Sequence, residues 1–310
     1  MFRFTRASFR PRVTSRITGM PAGWLPACFA LLFALAATCA SGAQPARQSA
    51  AGRVDRAAVA ALSKAGLQDP KVISDVDLTG PFRTVSPWRL VVARENGPPP
   101  PQVATVEEHG PLTVCFVKGV APHCAVGFSW KISGERRWFT TPYHLMSTRV
   151  VYAGRNHHKP LLMLTLCGAL NAYANCGTAT ALYRYDRRTD RFVREFFNTK
   201  GRNNNPATRF VERGPLRGDV IVDYPTAHTP YRYWIEAYKA GKSGRYGRIL
   251  RYRGHTGYAD GNELEVPDSE MPEILRHLGL WHSGDPLPLP AHPPPGCSHP
   301  VMRHQEEWCR

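Results

Sequence analysis

Between Tyr183 and Phe196 the chain reads YRYDRRTDRFVREF. Apolar and polar residues alternate on both sides of a polar centre, Asp186 to Asp190, which predicts a β-hairpin with one face of its sheet buried. An arginine followed by an aromatic recurs at Arg137-Trp138, Arg191-Phe192 and Arg245-Tyr246, at an interval of 54 residues. Each pair follows an aromatic strand and a polar turn: FSWKISGERRWF, YRYDRRTDRFVREF and EAYKAGKSGRYGRIL. Upstream of each lies an apolar run: Leu112 to Val117, Leu161 to Leu166 and Val220 to Val222. Units of this size cannot close a core alone, so stacked or radial sheets are expected, with units near 110–160, 161–215 and 216–260.

The first 43 residues read as a secretory signal. Arg3, Arg6, Arg10, Arg12 and Arg16 precede an uncharged, mostly apolar run from Trp24 to Cys39, and Ser41-Gly42-Ala43 offers small residues to a signal peptidase. The apolar run is short of the roughly 20 residues that span a membrane. Cleavage near Ala43 is therefore preferred to anchoring, and no later run approaches membrane length. The net charge of +16 falls to +11 when those five arginines leave. A basic exported protein favours acidic surfaces and polymers as partners. Nucleic acid is not expected among them, because export removes the usual targets. Periplasm or secretion is the expected destination.

The cysteines agree with export. Cys115, Cys124, Cys167, Cys176, Cys297 and Cys309 remain after the signal, an even number in three close couples. The first two couples share a separation of nine residues and sit at equivalent places, on the strand expected to open each of the first two units. Local pairing, 115–124, 167–176 and 297–309, is expected.

Along the chain, 44–54 is a polar, flexible lead-in. One mostly-β domain is expected over 55–283, with short helices near 55–66 and 269–279. Gly66 and Gly279 serve as left-handed stops and Ser269 as a cap. Pro98 to Pro101 makes a stiff loop, and 284–310 is a proline-rich tail ending in the Cys297–Cys309 loop. Bases crowd Lys239 to Arg253 and acids crowd Asp260 to Glu273, two blocks able to pair across a turn.

An apolar strand, a polar gap and a YD-x-x-T-x-x-F hairpin resemble the blades of FG-GAP and kelch-like β-propellers, though the calcium-loop aspartates of the FG-GAP type are not matched. The resemblance implies a mainly β, propeller-like array of four-stranded blades. A β-sandwich with evenly spaced hairpins is the alternative. The motifs RFVERGPLRGDVIVDYPT, PYRYWIEAY, LRYRGHTGYADGN, DSEMPEI and LGLW…PLPLP…WC resemble a group of uncharacterised exported bacterial proteins. That likeness covers Arg209 to Cys309, about a third of the chain, and implies export without implying an activity.

No nucleophile elbow, H-E-x-x-H or phosphate-binding glycine loop is present. Asp260, Asn262 and Glu265 offer oxygens to Ca²⁺, but Leu264 stands where an EF-hand places another oxygen ligand, and pairing with the basic block is preferred. Cys297, His299, His304 and Cys309 have zinc-ligand chemistry, against which an oxidising compartment favours a disulfide. Aromatics and bases interleave from Tyr231 to Arg253. One strand face gathers Tyr231, Tyr233 and Ile235, and the other gathers Arg232, Trp234, Glu236 and Tyr238. With Arg248, Arg251 and Arg253 these residues suggest a platform for an anionic glycan or another acidic polymer. The expected function is a non-catalytic envelope binding or scaffold protein. The alternative is a carbohydrate hydrolase drawing on Asp219, Asp223, Asp260 and Glu263.

Overall fold

The computed structural model describes residues 56–94, 112–118, 124–127, 142–154, 158–168, 176–202, 208–226, 232–257, 260–288, 290 and 294–309. The signal (1–43), the lead-in (44–54), the loop 98–101, the hairpin around Trp138, and Tyr231 lie outside them.

Three four-stranded antiparallel meanders follow one another along the chain. The first, sheet A, is β1 (Lys71–Asp77), β2 (Trp88–Arg94), β3 (Leu112–Lys118) and β4 (Cys124–Gly127). A single turn of helix, α2 (Thr79–Phe82), sits between β1 and β2. Sheet B is β5 (His144–Tyr152), β6 (Pro160–Cys167), β7 (Gly177–Asp186) and β8 (Arg191–Arg202). Sheet C is β9 (Thr208–Phe210), β10 (Val220–Pro225), β11 (Tyr233–Ala240) and β12 (Tyr246–Arg253). Mainly β architecture is thus present, and no closed barrel or propeller ring forms among the described residues.

Strand alternation decides how the sheets stack. In β2, Trp88, Leu90 and Val92 face sheet B, where they meet Leu162, Leu164, Leu166, Ala181, Tyr183 and Phe192. The intervening Val91 and Ala93 face the other way, onto Ala61 and Leu62 of helix α1 (Arg56–Lys64). Sheet B is apolar on both faces: Leu161, Met163, Leu182 and Phe196 turn toward Phe210, Val220 and Val222 of sheet C. The far face of sheet C, with Ile221, Tyr233 and Ile235, is covered by Met271, Ile274 and Leu275 of α4 (Met271–His277). The order through the molecule is helix, sheet A, sheet B, sheet C, helix. This explains why β6 is apolar from Leu161 to Leu164 and why β7 is buried without a break from Thr178 to Tyr183: a sheet buried on both faces has no solvent side to alternate toward.

The expected hairpin at Tyr183–Phe196 is β7–β8. A register shift between Leu182 and Tyr183 sends Phe192 into the A–B core and Phe196 into the B–C core. Without that bulge, two residues four apart on a strand would share a face. Phe192 and Tyr246 each stand near the start of the fourth strand of their sheet, and each faces the preceding sheet.

The unit boundaries do differ from expectation. Sheets span 71–127, 144–202 and 208–253 rather than 110–160, 161–215 and 216–260, so an expected unit would mix strands of two sheets. Apolar runs mark inner strands because those are the doubly covered ones, so phasing on them shifts every boundary. For the same reason Cys115 and Cys167 do not open their sheets: Cys115 is on the third strand of sheet A and Cys167 on the second of sheet B. Disulfides join Cys167 to Cys176 and Cys297 to Cys309, with Cα atoms 5.7 and 5.3 Å apart. Cys115 is also disulfide-bonded. Cys124 is on the neighbouring strand β4, and its side chain lies outside the described residues.

Helix α1 stops at Gly66, whose φ is +93°, as expected. Toward the C-terminus there are two short helices, α3 (Val266–Ser269) and α4. Ser269 is not the cap of α4. It ends α3, and its hydroxyl accepts a bond from Asn262 Nδ2 at 3.0 Å. Gly279, at φ +67°, ends α4, and Leu280 N–H bonds back to Leu275. The tail also makes a hairpin the sequence did not signal, β13 (Pro300–Arg303) with β14 (Glu306–Cys309), packed on α3 and α4. All of these elements belong to one compact unit, residues 51–310. No helix among the described residues is long and apolar enough to cross a membrane.

Candidate functional site

Sheet C carries the aromatic–basic sequence, and its pairing sorts the residues. Tyr233 and Ile235 are core, packed beneath α4. Tyr233 is therefore not a binding residue: the strand's apolar face needed it as cover for Ile274 and Leu275. Trp234, Glu236 and Tyr238 occupy the opposite face. That face is not an open surface, because it is the wall between sheets B and C, where Tyr238 meets Phe196 edge-on at 5.3 Å. Among the described residues its margin along β12 is exposed at Arg248, Arg251 and Arg253.

A bulge makes that margin cationic. Tyr238 pairs with Arg248 but Ala237 pairs with Leu250, so Ile249 is the extra residue. Past the bulge Arg251 and Arg253 come onto the same face as Arg248, opposite Glu236 and Trp234. In a regular strand Arg248 and Arg251, three residues apart, would point to opposite faces.

Glu236 is the centre of this arrangement and is fully buried. It accepts hydrogen bonds from Tyr238 Oη at 2.6 Å, Tyr224 Oη at 3.2 Å and Arg248 Nη1 at 3.1 Å. Arg251 Nε lies 3.4 Å from the same carboxylate. Burying a carboxylate is tolerable only with partners like these. The Arg251 guanidinium stacks over Trp234 at 4.4 Å and also donates to Tyr224 Oη at 3.3 Å. Burial, together with the bond to Glu236, pushes the Tyr238 phenol well above its ordinary range, so it stays a donor. Two guanidiniums nearly half exposed, at 47 and 45 %, are thus held in place from below by one buried anion. Arg232 and Arg253 are exposed beside them, and among the described residues neither pairs with a carboxylate.

Among the described residues the expected pairing of the basic block with the acidic block does not form. The acids of α3 and α4 lie on the opposite side of sheet C, and Arg209 of β9 is their partner, bonded to Asp268 and Glu265. Arg276 pairs with Glu273 within the helix. Glu270, fully buried, accepts from Tyr252 Oη, His255 N, Thr256 N and Thr256 Oγ1 at 2.7–2.8 Å. Glu263 is exposed and Asp260 caps its own loop through Gly257 N and Asn262 N.

The Ca²⁺ ligand set is spent on local bonds: the Asn262 carbonyl accepts from Leu264 N, and Glu265 is held by Arg209. Cys297 and Cys309 are joined to each other, so they offer no thiolates to zinc with His299 and His304. Of the hydrolase carboxylates, Asp219 and Asp223 are not brought together. Asp223 is buried below α3, where burial lifts its pKa to about 7 against the lowering charge of Arg209. Asp219, raised by burial to about 6, lies four residues of largely extended chain away, about 13 Å. Glycosidase pairs sit about 5–10 Å apart.

A feature the sequence did not single out lies at the near end of β12. A cleft of about 670 Å³ opens between the tip of α2, the β5–β6 and β7–β8 turns and the β11–β12 turn. Arg83, Lys159, Arg184, Arg187 and Lys242 line it. Among the described residues its one lining carboxylate, Glu195, accepts from Arg184 Nε at 2.8 Å. No family model, curated protein or solved structure matches the chain.

Proposed function

We propose that this is an exported, non-catalytic protein of the cell envelope that binds an anionic glycan or a related acidic polymer on the arginine margin of sheet C. The observation that carries this reading is the buried Glu236 clamp. A solvent-facing arginine normally loses side-chain entropy when it binds an anion, and here two are ordered before the ligand arrives. The C-terminal motifs that resemble exported bacterial proteins, and the disulfides, support the export part. Three consecutive four-stranded meanders stacked face to face, with Phe192 and Tyr246 in like positions, support a blade-like repeat related to open propeller arrays.

The test is titration of the protein with polygalacturonate and with lipopolysaccharide at rising salt. Affinity is expected to fall as salt screens the contacts. Arg232→Ser with Arg253→Ser is expected to weaken binding about tenfold and leave the melting temperature unchanged, since neither side chain supports Glu236. Absence of binding at low salt, or binding by the variant equal to that of the native protein, overturns the reading.

A further inference from the structure

The cleft at the start of β12 and the arginine margin share one strand. Tyr246 lines the cleft, and Arg248, Arg251 and Arg253 follow on the same face through the bulge. The eight residues of β12 span about 26 Å at about 3.3 Å per residue. A ligand compact enough to fill the cleft cannot touch the far arginines, whereas a chain can reach both.

The cleft gathers cations from separate parts of the chain: Arg83 from α2, Lys159 from the turn before β6, Arg184 and Arg187 from β7 and its turn, and Lys242 from the β11–β12 turn. Arg184 is neutralised by Glu195. The other four pair with no carboxylate among the described residues and are exposed. Two of them sit where the backbone disfavours any residue with a Cβ: φ is +47° at Arg83, just past the end of α2, and +56° at Lys159. Glycine is the residue such positions ordinarily take, and strain of this kind concentrates at functional sites. Phe82, Pro160, Leu161, Tyr185 and Tyr246 also line the cleft. These are ring and aliphatic surfaces suited to the apolar face of a sugar, next to cations suited to its acid group.

We propose that the cleft is an end site that takes the terminal acidic sugars of a linear, carboxylated oligosaccharide whose body lies along β12. This deepens the function proposed above and rests on it. The terminal carboxylates meet Arg83, Lys159, Arg187 and Lys242, and the following residues pass over Arg248, Arg251 and Arg253.

Isothermal titration of the full chain with galacturonate oligomers tests the assignment. A dimer, too short to leave the cleft, and an oligomer of about eight sugars are compared. Lys159→Gly with Lys242→Ser is expected to abolish dimer binding and to weaken the long oligomer about tenfold or more. It is also expected to raise the melting temperature, since glycine relieves the positive φ at position 159. Arg232→Ser with Arg253→Ser is expected to weaken only the long oligomer. If the dimer fails to bind, or binds the cleft variant unchanged, while the long oligomer still responds to the Arg232 and Arg253 substitutions, the end site is wrong and the margin stands. If no oligomer of either length binds, both proposals fall. Polyphosphate of matched charge binding as tightly as the galacturonates overturns the assignment to an acidic sugar.

Discussion

Asp190, the last residue of the β7–β8 turn, ties sheets A and B together. Its Oδ1 accepts from the Trp88 indole at 2.9 Å and from Tyr185 Oη at 2.6 Å, and its Oδ2 from Ser86 Oγ at 2.7 Å. Lys118 Nζ lies 2.7 Å from the same Oδ2. Trp88 and Lys118 stand at the paired ends of β2 and β3, so one carboxylate holds the rim of sheet A against the hairpin of sheet B. Asp190→Ala leaves the Trp88 N–H, on a residue 1 % exposed, without an acceptor, at about 2 kcal/mol. The partly exposed lysine pair adds about 0.5–1 kcal/mol, while Tyr185 and Ser86 can turn to water. Because φ at 190 is +47°, an alanine there costs about 1 kcal/mol more. The expected loss is about 4 kcal/mol for alanine, about 3 for glycine, which escapes the backbone cost, and about 1.5 for asparagine, which keeps one acceptor. Urea titration followed through tryptophan emission measures all three. Burial works against the Asp190 charge, but the bonds from Lys118, Tyr185, Ser86 and Trp88 outweigh it and hold the carboxyl well below the usual range. Its contribution is therefore present above about pH 4 and lost as the pH falls through the folded-state value. Asp190→Asn removes that acid limb. An alanine variant within 1 kcal/mol of the native protein would refute the assignment of Asp190 as the tie between the sheets.

Glycine at 254 lets the backbone approach Glu270 closely: a Cβ there would lie 2.5 Å from Oε1, and that carboxylate is held by four bonds and cannot swing aside. Gly254→Ala is expected to destabilise the protein by about 2–3 kcal/mol in thermal or urea unfolding, and a loss under 0.5 kcal/mol would show that α4 shifts freely. The C-terminal hairpin buries two adjacent acids in an acidic neighbourhood. Burial, with Asp260 and Glu270 adding, lifts Glu306 to about 7, although Asn262 and Thr256 bonds oppose it; burial, with Asp268 adding, lifts Glu307 to about 8. Among the described residues, both oxygens of Glu307 and one of Glu306 lack hydrogen-bond partners. Raised carboxyls stabilise fully below their unfolded pKa of about 4.3. Stability is then lost as pH rises through the folded values of about 7 and 8, by at most about 1.4 kcal/mol per pH unit for each group. Melting at pH 5 is expected to exceed melting at pH 8, with Glu307→Gln flattening the difference, and a melting temperature that climbs from pH 5 to pH 8 would contradict it.

Local pattern alone was enough for several elements. The hairpin at 183–196 follows from alternation around a polar centre, α1 and α4 from their apolar spacing and glycine stops, and two disulfides from short separations that adjacent strands can close. Each of these depends on residues close in sequence, where propensity and turn chemistry act without knowledge of the rest of the chain. The tertiary structure decided which strands belong to one sheet, because apolar runs report burial on two faces rather than the start of a unit. It turned Tyr233 into core and made Arg248 and Arg251 neighbours through a bulge that costs one residue of register and leaves no mark in the residue pattern. It also chose Glu236 rather than the nearby acidic block as their partner, since β11 and β12 place that carboxylate beside them while α3 and α4 lie across the sheet. The cleft was the least legible feature of all. Its cations stand at 83, 159, 184, 187 and 242, and only the stacking of three sheets brings residues so distant in the chain into one charged wall.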